Sequence, residues 1–161
     1  MAEPLVTCVD IEGNTHMVPC ASLQWRPSAY GIVLRDKKVL LCKHYGKFNL
    51  PGGGVDLGEK LEAALSREVQ EETGIIIANP RLLGADTDFF RLPYEDTFVQ
   101  SILLYYLCDY AGGELSADGL DEHEKQYAEL SEWIPLQDID TLEITSSKDF
   151  RRFIKQAEKT T

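Results

Sequence analysis

The order of apolar and polar residues predicts a chain in which short strands surround a central helix. Runs of β-branched and aromatic residues are bounded by turn residues, which is the pattern expected for strands and hairpins. The predicted strands cover residues 5–10, 15–19, 29–34, 39–43, 75–78, 82–86, 98–110 and 128–134. Turn sequences at residues 12–14 and 36–38 join the first two pairs into hairpins.

Residues 59–73 contain good helix formers, and Gly74 stands where a left-handed C-terminal cap would fall, so a helix ending at Thr73 is predicted. At roughly 100° per residue, one apolar stripe on this helix is formed by Leu61, Ala64, Leu65 and Val69. Glu68 and Glu72 project within the same sector, which an ordinary surface helix would not show.

A second helix is predicted over residues 146–157, because apolar side chains recur there at helical spacing. Strands on both sides of the first helix and a helix at the end predict an α/β fold with a mixed sheet covered on two faces. With 161 residues and 43% hydrophobic content, one domain spanning residues 1–161 is expected.

The carboxylates of Glu68, Glu71 and Glu72 can converge near the C-terminal half of the first helix, because they lie three and four residues apart. Negative charge beside a packed face is costly without a cationic partner. A divalent ion would be such a partner, and oxygen ligands favour Mg²⁺, Mn²⁺ or Ca²⁺ over zinc. The alternative for the Glu71-Glu72 pair is a solvated helix surface.

Four glycines precede the helix within seven positions: Gly52, Gly53, Gly54 and Gly58. They permit positive φ and close approach of the backbone to a ligand, although such glycines also occur in plain tight turns. The segment matches neither the Gly-Lys-Ser/Thr phosphate loop nor the Gly-x-Gly-x-x-Gly spacing.

From Gly53 to Ile75 the chain resembles the Nudix box of the Nudix hydrolases, the MutT-like family. Glu59 follows Gly53 after five residues, Arg67-Glu68-Val69 follows after seven more, and Glu71-Glu72 and Gly74-Ile75 complete the pattern. The resemblance implies a Nudix-type α/β/α sandwich with a mixed β-sheet between helices.

The activity that the resemblance implies is metal-assisted hydrolysis of a nucleoside diphosphate linked to another group. In the family, the positions of Glu68, Glu71 and Glu72 bind the divalent ions, so Mg²⁺ or Mn²⁺ is the expected cofactor. Glu59 and Arg67 match the positions that brace the loop against the helix. A metal held by carboxylates can activate water and draw charge from a diphosphate.

The residue that takes the proton from water stays open between a box glutamate and an acid of the loop at residues 116–124. Glu122 and Glu124 are the candidates in that loop, which could also be only a solvated acidic surface. The catalytic candidates are therefore Glu68, Arg67, Glu59, Glu122 and Glu124.

Candidate substrate-binding residues are Arg26, Gly52, Gly53, Phe48 and Arg91. Rings of Phe89, Phe90 and Tyr94 could stack on a base, and their alternative place is the core. His44 could touch substrate, although we interpret it as a surface histidine. We expect a small nucleotide substrate and favour a nucleoside triphosphate, because no added domain for a larger conjugate is visible.

Two other function classes remain open. The first is a non-catalytic nucleotide-binding or regulatory module on the same fold, and the second is an interaction protein whose acidic helix is surface decoration. The complete set of box residues speaks against the first.

A net charge of −11 disfavours binding to polymeric nucleic acid, since that binding needs Lys and Arg to neutralise phosphates. No apolar run approaches membrane-spanning length, and the N-terminus lacks a secretory pattern, so a cytoplasmic protein without a membrane partner is expected. The four cysteines form no Cys-x-x-Cys pair, which predicts reduced thiols and no zinc. A homodimer stays open.

Overall fold

Most of the chain forms one large mixed sheet with a helix on each face. The computed structural model describes residues 3–93, 95–145 and 147–161. The strands in these ranges are β1 Leu5–Val9, β2 Thr15–Pro19, β3 Gln24–Arg35, β4 Lys38–His44, β5 Lys47–Asn49, β6 Gly52–Gly54, β7 Ile76–Arg91, β8 Phe98–Gly112 and β9 Ala128–Pro135. The α-helices are α1 Leu61–Thr73 and α2 Arg151–Thr160.

The strands follow the order β2-β1-β7-β8-β3-β4-β5, while β6 pairs with β3 and β9 pairs with β4. β3 runs parallel to β8, whereas β7 and β8 are antiparallel. The mixed sheet predicted from the sequence is therefore confirmed. So are both predicted hairpins, β1 with β2 and β3 with β4.

Two apolar clusters lie on opposite faces of the sheet. On one face, Leu65 and Val69 of α1 pack with Val33 of β3. On the other, Phe153 and Ile154 of α2 pack with residues that include Ile32 of β3. Because successive strand residues point to opposite faces, Ile32 and Val33 serve different layers. The α/β/α arrangement is confirmed.

Two segments differ from the pattern-based prediction. β7 is continuous over sixteen residues, whereas two separate strands were predicted there. Asn79 and Pro80, which lie between the two predicted strands, are accommodated by irregular pairing between Ala78 and Arg81. The glycine run at β6 was expected to be loop but forms a short strand against β3. The helices begin later than predicted, at Leu61 and Arg151, and the predicted start at Ser146 lies outside the described residues.

The end of α1 is fixed by a left-handed cap. Gly74 has φ 76° and its N–H donates to the carbonyl of Gln70 at 2.9 Å, so the helix ends at Thr73 as predicted. In the described parts of the chain, no helix is long and apolar enough to cross a membrane.

Candidate active site

A cavity of about 280 Å³ opens on the sheet face that α2 covers only in part. Its floor comes from β3, β7 and β8, one wall from β6 and the C-terminal half of α1, and its rim from loops. The residues used below that line it are Arg26, His44, Gly52, Gly53, Glu68, Glu72, Asp88, Phe90, Val99, Ser101, Leu103 and Glu124.

Glu72 is the most buried acid of this wall, with 8% of its surface exposed. Its Oε2 accepts hydrogen bonds from the Gly52 N–H at 2.8 Å and from the Cys42 thiol at 3.4 Å. Both donors are neutral, and the nearest basic group in the described part of the chain is His44 Nε2, 4.0 Å from Oε1. Burial raises the pKa of Glu72 to about 8, and nearby Glu68 adds to the effect.

Arg67 connects the other carboxylates of the helix with the loop before it. It donates to both carboxylate oxygens of Glu59, at 2.9 and 3.0 Å, to Glu68 at 2.8 Å and to Glu71 at 3.3 Å. Hydrogen bonds with Glu59 raise the pKa of Arg67, and those same bonds lower the pKa of Glu59. This contact joins the loop to α1, the geometry expected of a bracing pair, while their catalytic importance stays a prediction.

Glu68 reaches into the cavity from α1 beside Gly53. A Cβ at Gly53 would lie 2.7 Å from the Glu68 carboxylate, so the bare Cα leaves the space that this side chain occupies. Burial raises the pKa of Glu68, while the hydrogen bond from Arg67 opposes the shift.

The three box glutamates do not converge on one point. Glu68 and Glu72 face the cavity, whereas Glu71 has 47% of its side chain exposed and contacts Arg67. Within residues 3–93, 95–145 and 147–161, no three His, Cys, Asp or Glu side chains lie close enough to hold a metal ion. Arg67 donates to Glu68 and Glu71, whereas Gly52 and Cys42 donate to Glu72, so different groups hold these side chains.

The donor chemistry nevertheless fits a hard divalent cation. Glu72 is a buried carboxylate that forms no ion pair with Arg or Lys in the described part of the chain, and Glu68 and Glu124 raise its pKa further by their charge. Oxygen donors of this kind suit Mg²⁺ or Mn²⁺. Glu68, Glu72 and Glu124 share the cavity and are the residues that would hold such an ion, while a metal-binding role for Glu71 stays a prediction from the box.

The two loop candidates occupy different places. Glu124 lines the cavity, and its Oε2 accepts the N–H of Asp121 at 2.8 Å. Glu122 has 89% of its side chain exposed and forms an ion pair with Lys125 at 2.9 Å. The structure therefore favours Glu124 over Glu122 as a participant.

The candidate substrate residues are also divided. Arg26 lines the cavity and donates to Ser28 Oγ at 2.7 Å. Phe48 instead packs against the core, with the Lys43 ammonium 5.5 Å from its ring. Arg91 lies in a neighbouring pocket, where it contacts Asp96 at 3.4 Å. Neither residue is among the described cavity-lining ones, so a substrate contact for either of them stays a prediction.

The aromatic candidates separate in the same way. Phe90 lines the cavity, Phe89 points to the opposite face of β7, and Tyr94 lies outside the described residues. Gly52 and Gly53 form the wall next to α1. Gly52 has φ 143°, and a Cβ there would lie 2.1 Å from the carbonyl oxygen of Ala29, so glycine is required.

Three cavity-related residues were not among the site residues predicted from the sequence. His44, interpreted as a surface residue, lines the cavity, and burial lowers its pKa. Cys42 lies beneath Glu72 with its thiol directed at the carboxylate. Asp88 lies on the floor, beyond the predicted end of its strand at residue 86. Strand alternation would have placed Asp88 on the same face as Asp86 if the strand had been extended by two residues, but it would not have identified its partner on β8.

In comparison with known protein families, residues 25–157 match the family described as "NUDIX domain". An ADP-ribose pyrophosphatase of Methanocaldococcus jannaschii is 39% identical over 106 residues, covering 63% of this chain and 60% of that protein. The NAD-capped RNA hydrolase NudC of Vibrio atlanticus is 36% identical over 104 residues, covering 62% of this chain and 33% of that protein. The chain thus spans about a third to three fifths of these relatives.

Solved structures show the same fold. The MutT NUDIX hydrolase of Burkholderia pseudomallei has a TM-score of 0.59 and 23% identity, covering 86% of this chain and 99% of that chain. An ADP-ribose pyrophosphatase of Streptococcus suis has a TM-score of 0.62 and 18% identity, covering 84% and 90%. With the box residues, the fold and the family match in agreement, the chain belongs to the Nudix hydrolase family.

Proposed function

We propose that this protein is a metal-dependent pyrophosphohydrolase that cleaves a nucleoside diphosphate linked to another group. The observation that carries the proposal is the buried Glu72 carboxylate, held by neutral donors, in one cavity with Glu68, Glu124 and the cation Arg26. This arrangement combines acidic groups that can bind a metal with a cationic group that can bind phosphate.

Each residue has a distinct task in this mechanism. Nudix hydrolases generally use divalent metal ions, and such an ion would activate water and offset charge on the diphosphate. Arg26 donates hydrogen bonds to a phosphate oxygen, since its guanidinium faces the cavity. Glu68 or Glu124 accepts the proton of the attacking water. Arg67 and Glu59 hold Glu68 and the glycine loop in place.

The names of the relatives and the shape of the site bear on the substrate class. The sequence favours a nucleoside triphosphate, while the relatives are named for ADP-ribose and NAD-capped RNA, which are nucleoside diphosphate conjugates. A second pocket, lined by Tyr45 and Arg91, adjoins the first through Ile11, Leu92 and Pro93. The second pocket offers room for the group that is linked to the diphosphate. We therefore propose nucleoside diphosphate conjugates as the first candidate substrates and nucleoside triphosphates as the second.

A non-catalytic nucleotide-binding module is the second candidate, and the separation of Glu71 from Glu72 is the observation that favours it. Binding of nucleotide without product would support that module. For either candidate function, we also propose that residues 1–161 form one domain. We further propose that the protein is cytoplasmic and does not bind polymeric nucleic acid.

The test is incubation of the purified chain with ADP-ribose, NAD, GTP and dGTP, with Mg²⁺ or Mn²⁺ and with EDTA. Reaction in ¹⁸O-labelled water followed by mass analysis identifies the products and the phosphorus that water attacks. We expect cleavage of at least one conjugate with either metal, and none in EDTA. No cleavage of any of the four compounds with either metal would overturn the proposal.

A further inference from the structure

Three strands bring one polar row across the cavity floor. Asp88 of β7 pairs directly with Ser101 of β8, and Ser101 pairs directly with Arg26 of β3. Directly paired residues point to the same face of a sheet, and all three side chains line the cavity. Two strand spacings separate the Asp88 and Arg26 backbones, or about 10 Å.

The centre of the row is small and already hydrogen-bonded. Ser101 is 4% exposed, and its hydroxyl donates to the carbonyl oxygen of Arg26 at 2.9 Å. Its Oγ also lies 3.4 Å from Ser28 Oγ. The anionic Asp88 and the cationic Arg26 therefore lie on opposite sides of a small, uncharged residue.

Asp88 has acceptor capacity to spare. One carboxylate oxygen accepts the N–H of Phe89 at 2.9 Å, and the other contacts the hydroxyl of Ser147. A carboxylate offers about four acceptor sites, and both of these partners are neutral. In the described part of the chain Asp88 forms no ion pair. A charged acceptor with these partners can still receive donors from a ligand.

The surroundings of Asp88 indicate which part of a ligand it meets. The cross-strand pair of Phe90 and Val99 lies on one side of the pair of Asp88 and Ser101, and Leu103 lies on the other side. Apolar walls suit a nucleoside, whereas a carboxylate in the same place repels phosphate. The phosphate groups then belong to the opposite end of the row, beside Arg26.

We propose that Asp88 is a specificity-determining residue that accepts hydrogen bonds from N–H or O–H donors on the nucleoside half of the substrate. The proposal rests on the proposed function, because it assumes that the cavity binds a nucleotide. The donors belong either to the amino edge of the base or to the ribose hydroxyls, and Asp88 selects nucleotides that carry them. Arg26 and Asp88 together then set the direction in which the nucleotide lies.

The test compares Asp88→Asn with Asp86→Asn, a change of equal charge on the same face of β7. Asp86 pairs with Arg152 at 2.7 Å and is not among the described cavity residues. Calorimetry with Mg²⁺ measures the affinity of each variant for three matched pairs of monophosphates. The pairs are GMP with IMP, AMP with purine riboside monophosphate, and AMP with 3′-deoxy-AMP. Each pair differs by one donor group, and inorganic pyrophosphate serves as a probe without a nucleoside.

We expect the wild type to prefer the donor-bearing member of at least one pair, which identifies the base or the ribose as the source. Asp88→Asn should weaken the binding of that member about 10- to 100-fold, which is the scale of a hydrogen bond to a charged group. The ratio of the two affinities within the pair should then fall near one. Pyrophosphate binding should stay unchanged, and Asp86→Asn should keep the wild-type ratios.

Unchanged ratios in Asp88→Asn, no preference in the wild type, or equal weakening of every probe would each overturn the proposal. If the amide variant does not fold, Asp88→Ser, which keeps an uncharged acceptor, replaces it and must show the same loss of preference. The affinities do not require turnover. An enzyme that hydrolyses conjugates without this selectivity would therefore contradict the Asp88 proposal and leave the proposed function intact.

Discussion

Two carboxylates of helix α1, Glu68 and Glu72, reach the same cavity but are held in opposite ways. Glu68 accepts a charged hydrogen bond from Arg67 at 2.8 Å, within a network that also holds Glu59 and Glu71. Glu72 is held by a backbone N–H and a thiol, and burial raises its pKa. Arg67 neutralises the carboxylates of its own network, whereas the groups that donate to Glu72 carry no charge and leave it free to bind a cation.

The difference separates structural tasks from chemical ones. A partly exposed network with a built-in cation can brace the loop without any ligand. A buried carboxylate with neutral donors costs stability when ionised, unless a cation arrives. We therefore expect changes at Glu72 to act on chemistry, and changes at Arg67 to act on chemistry and stability together.

The largest effect is expected for Glu72→Gln, and for Glu71→Gln as predicted from the box. Glu72→Gln should lower turnover by about 10²- to 10³-fold, because a charged group of a preorganised site is lost, and the box predicts a loss of the same order for Glu71→Gln. Glu72→Gln should not lower the melting temperature of the metal-free protein, since it removes a buried charge. Steady-state kinetics and thermal melts measure both quantities. Full activity in both variants would refute the metal assignment.

Arg67→Ala is expected to have a smaller effect on rate and a clear effect on stability. The guanidinium is about one third exposed and makes a two-pronged contact with Glu59, so its loss should cost about 1–2 kcal/mol. We expect turnover to fall about tenfold because Glu68 loses its partner. Arg81→Ala breaks an exposed pair with Asp109 far from the cavity and serves as the control. A loss of rate with unchanged stability would instead indicate that Arg67 contacts substrate.

The pH dependence of stability tests the burial of Glu72 without any substrate. Because its folded pKa is about 8 and its ordinary value is 4.5, it contributes stability that is full below the ordinary value. That contribution is lost as pH rises through about 8. In EDTA, the wild type should therefore lose a few degrees of melting temperature relative to Glu72→Gln between mildly acidic and mildly alkaline pH. Parallel curves for the two proteins would contradict the expectation.

The smallest effect is expected at Cys42. Cys42→Ala removes a donor to Glu72 and should weaken Mn²⁺ binding and turnover about two- to tenfold. Cys42→Ser keeps a donor and should stay nearer the wild type. Electron paramagnetic resonance of Mn²⁺ measures the affinity directly, and Cys108→Ala, another buried thiol, controls for packing. Equal behaviour of the serine and alanine variants would show that the thiol does not hold the carboxylate.

The parts of the site that are close in sequence were predictable, and those that depend on strand register were not. Helical spacing placed Glu68 and Glu72 beside the apolar stripe, and both face the cavity. It could not show that Arg67 draws Glu71 away, because that depends on side-chain pairing. The position of Asp88 beside Ser101 required the register of β7 against β8, which the irregular pairing between Ala78 and Arg81 concealed.

The residues that hold Glu72 come from distant parts of the chain. Cys42 lies 30 positions before it, Gly52 lies 20 before it, and Ser131, which donates to its carbonyl oxygen at 3.1 Å, lies 59 after it. Strand β9 must be in place before the last of these contacts can form. Catalytic competence is thus a property of the completed tertiary structure, and a partly synthesised chain would carry the whole motif without its reactive geometry.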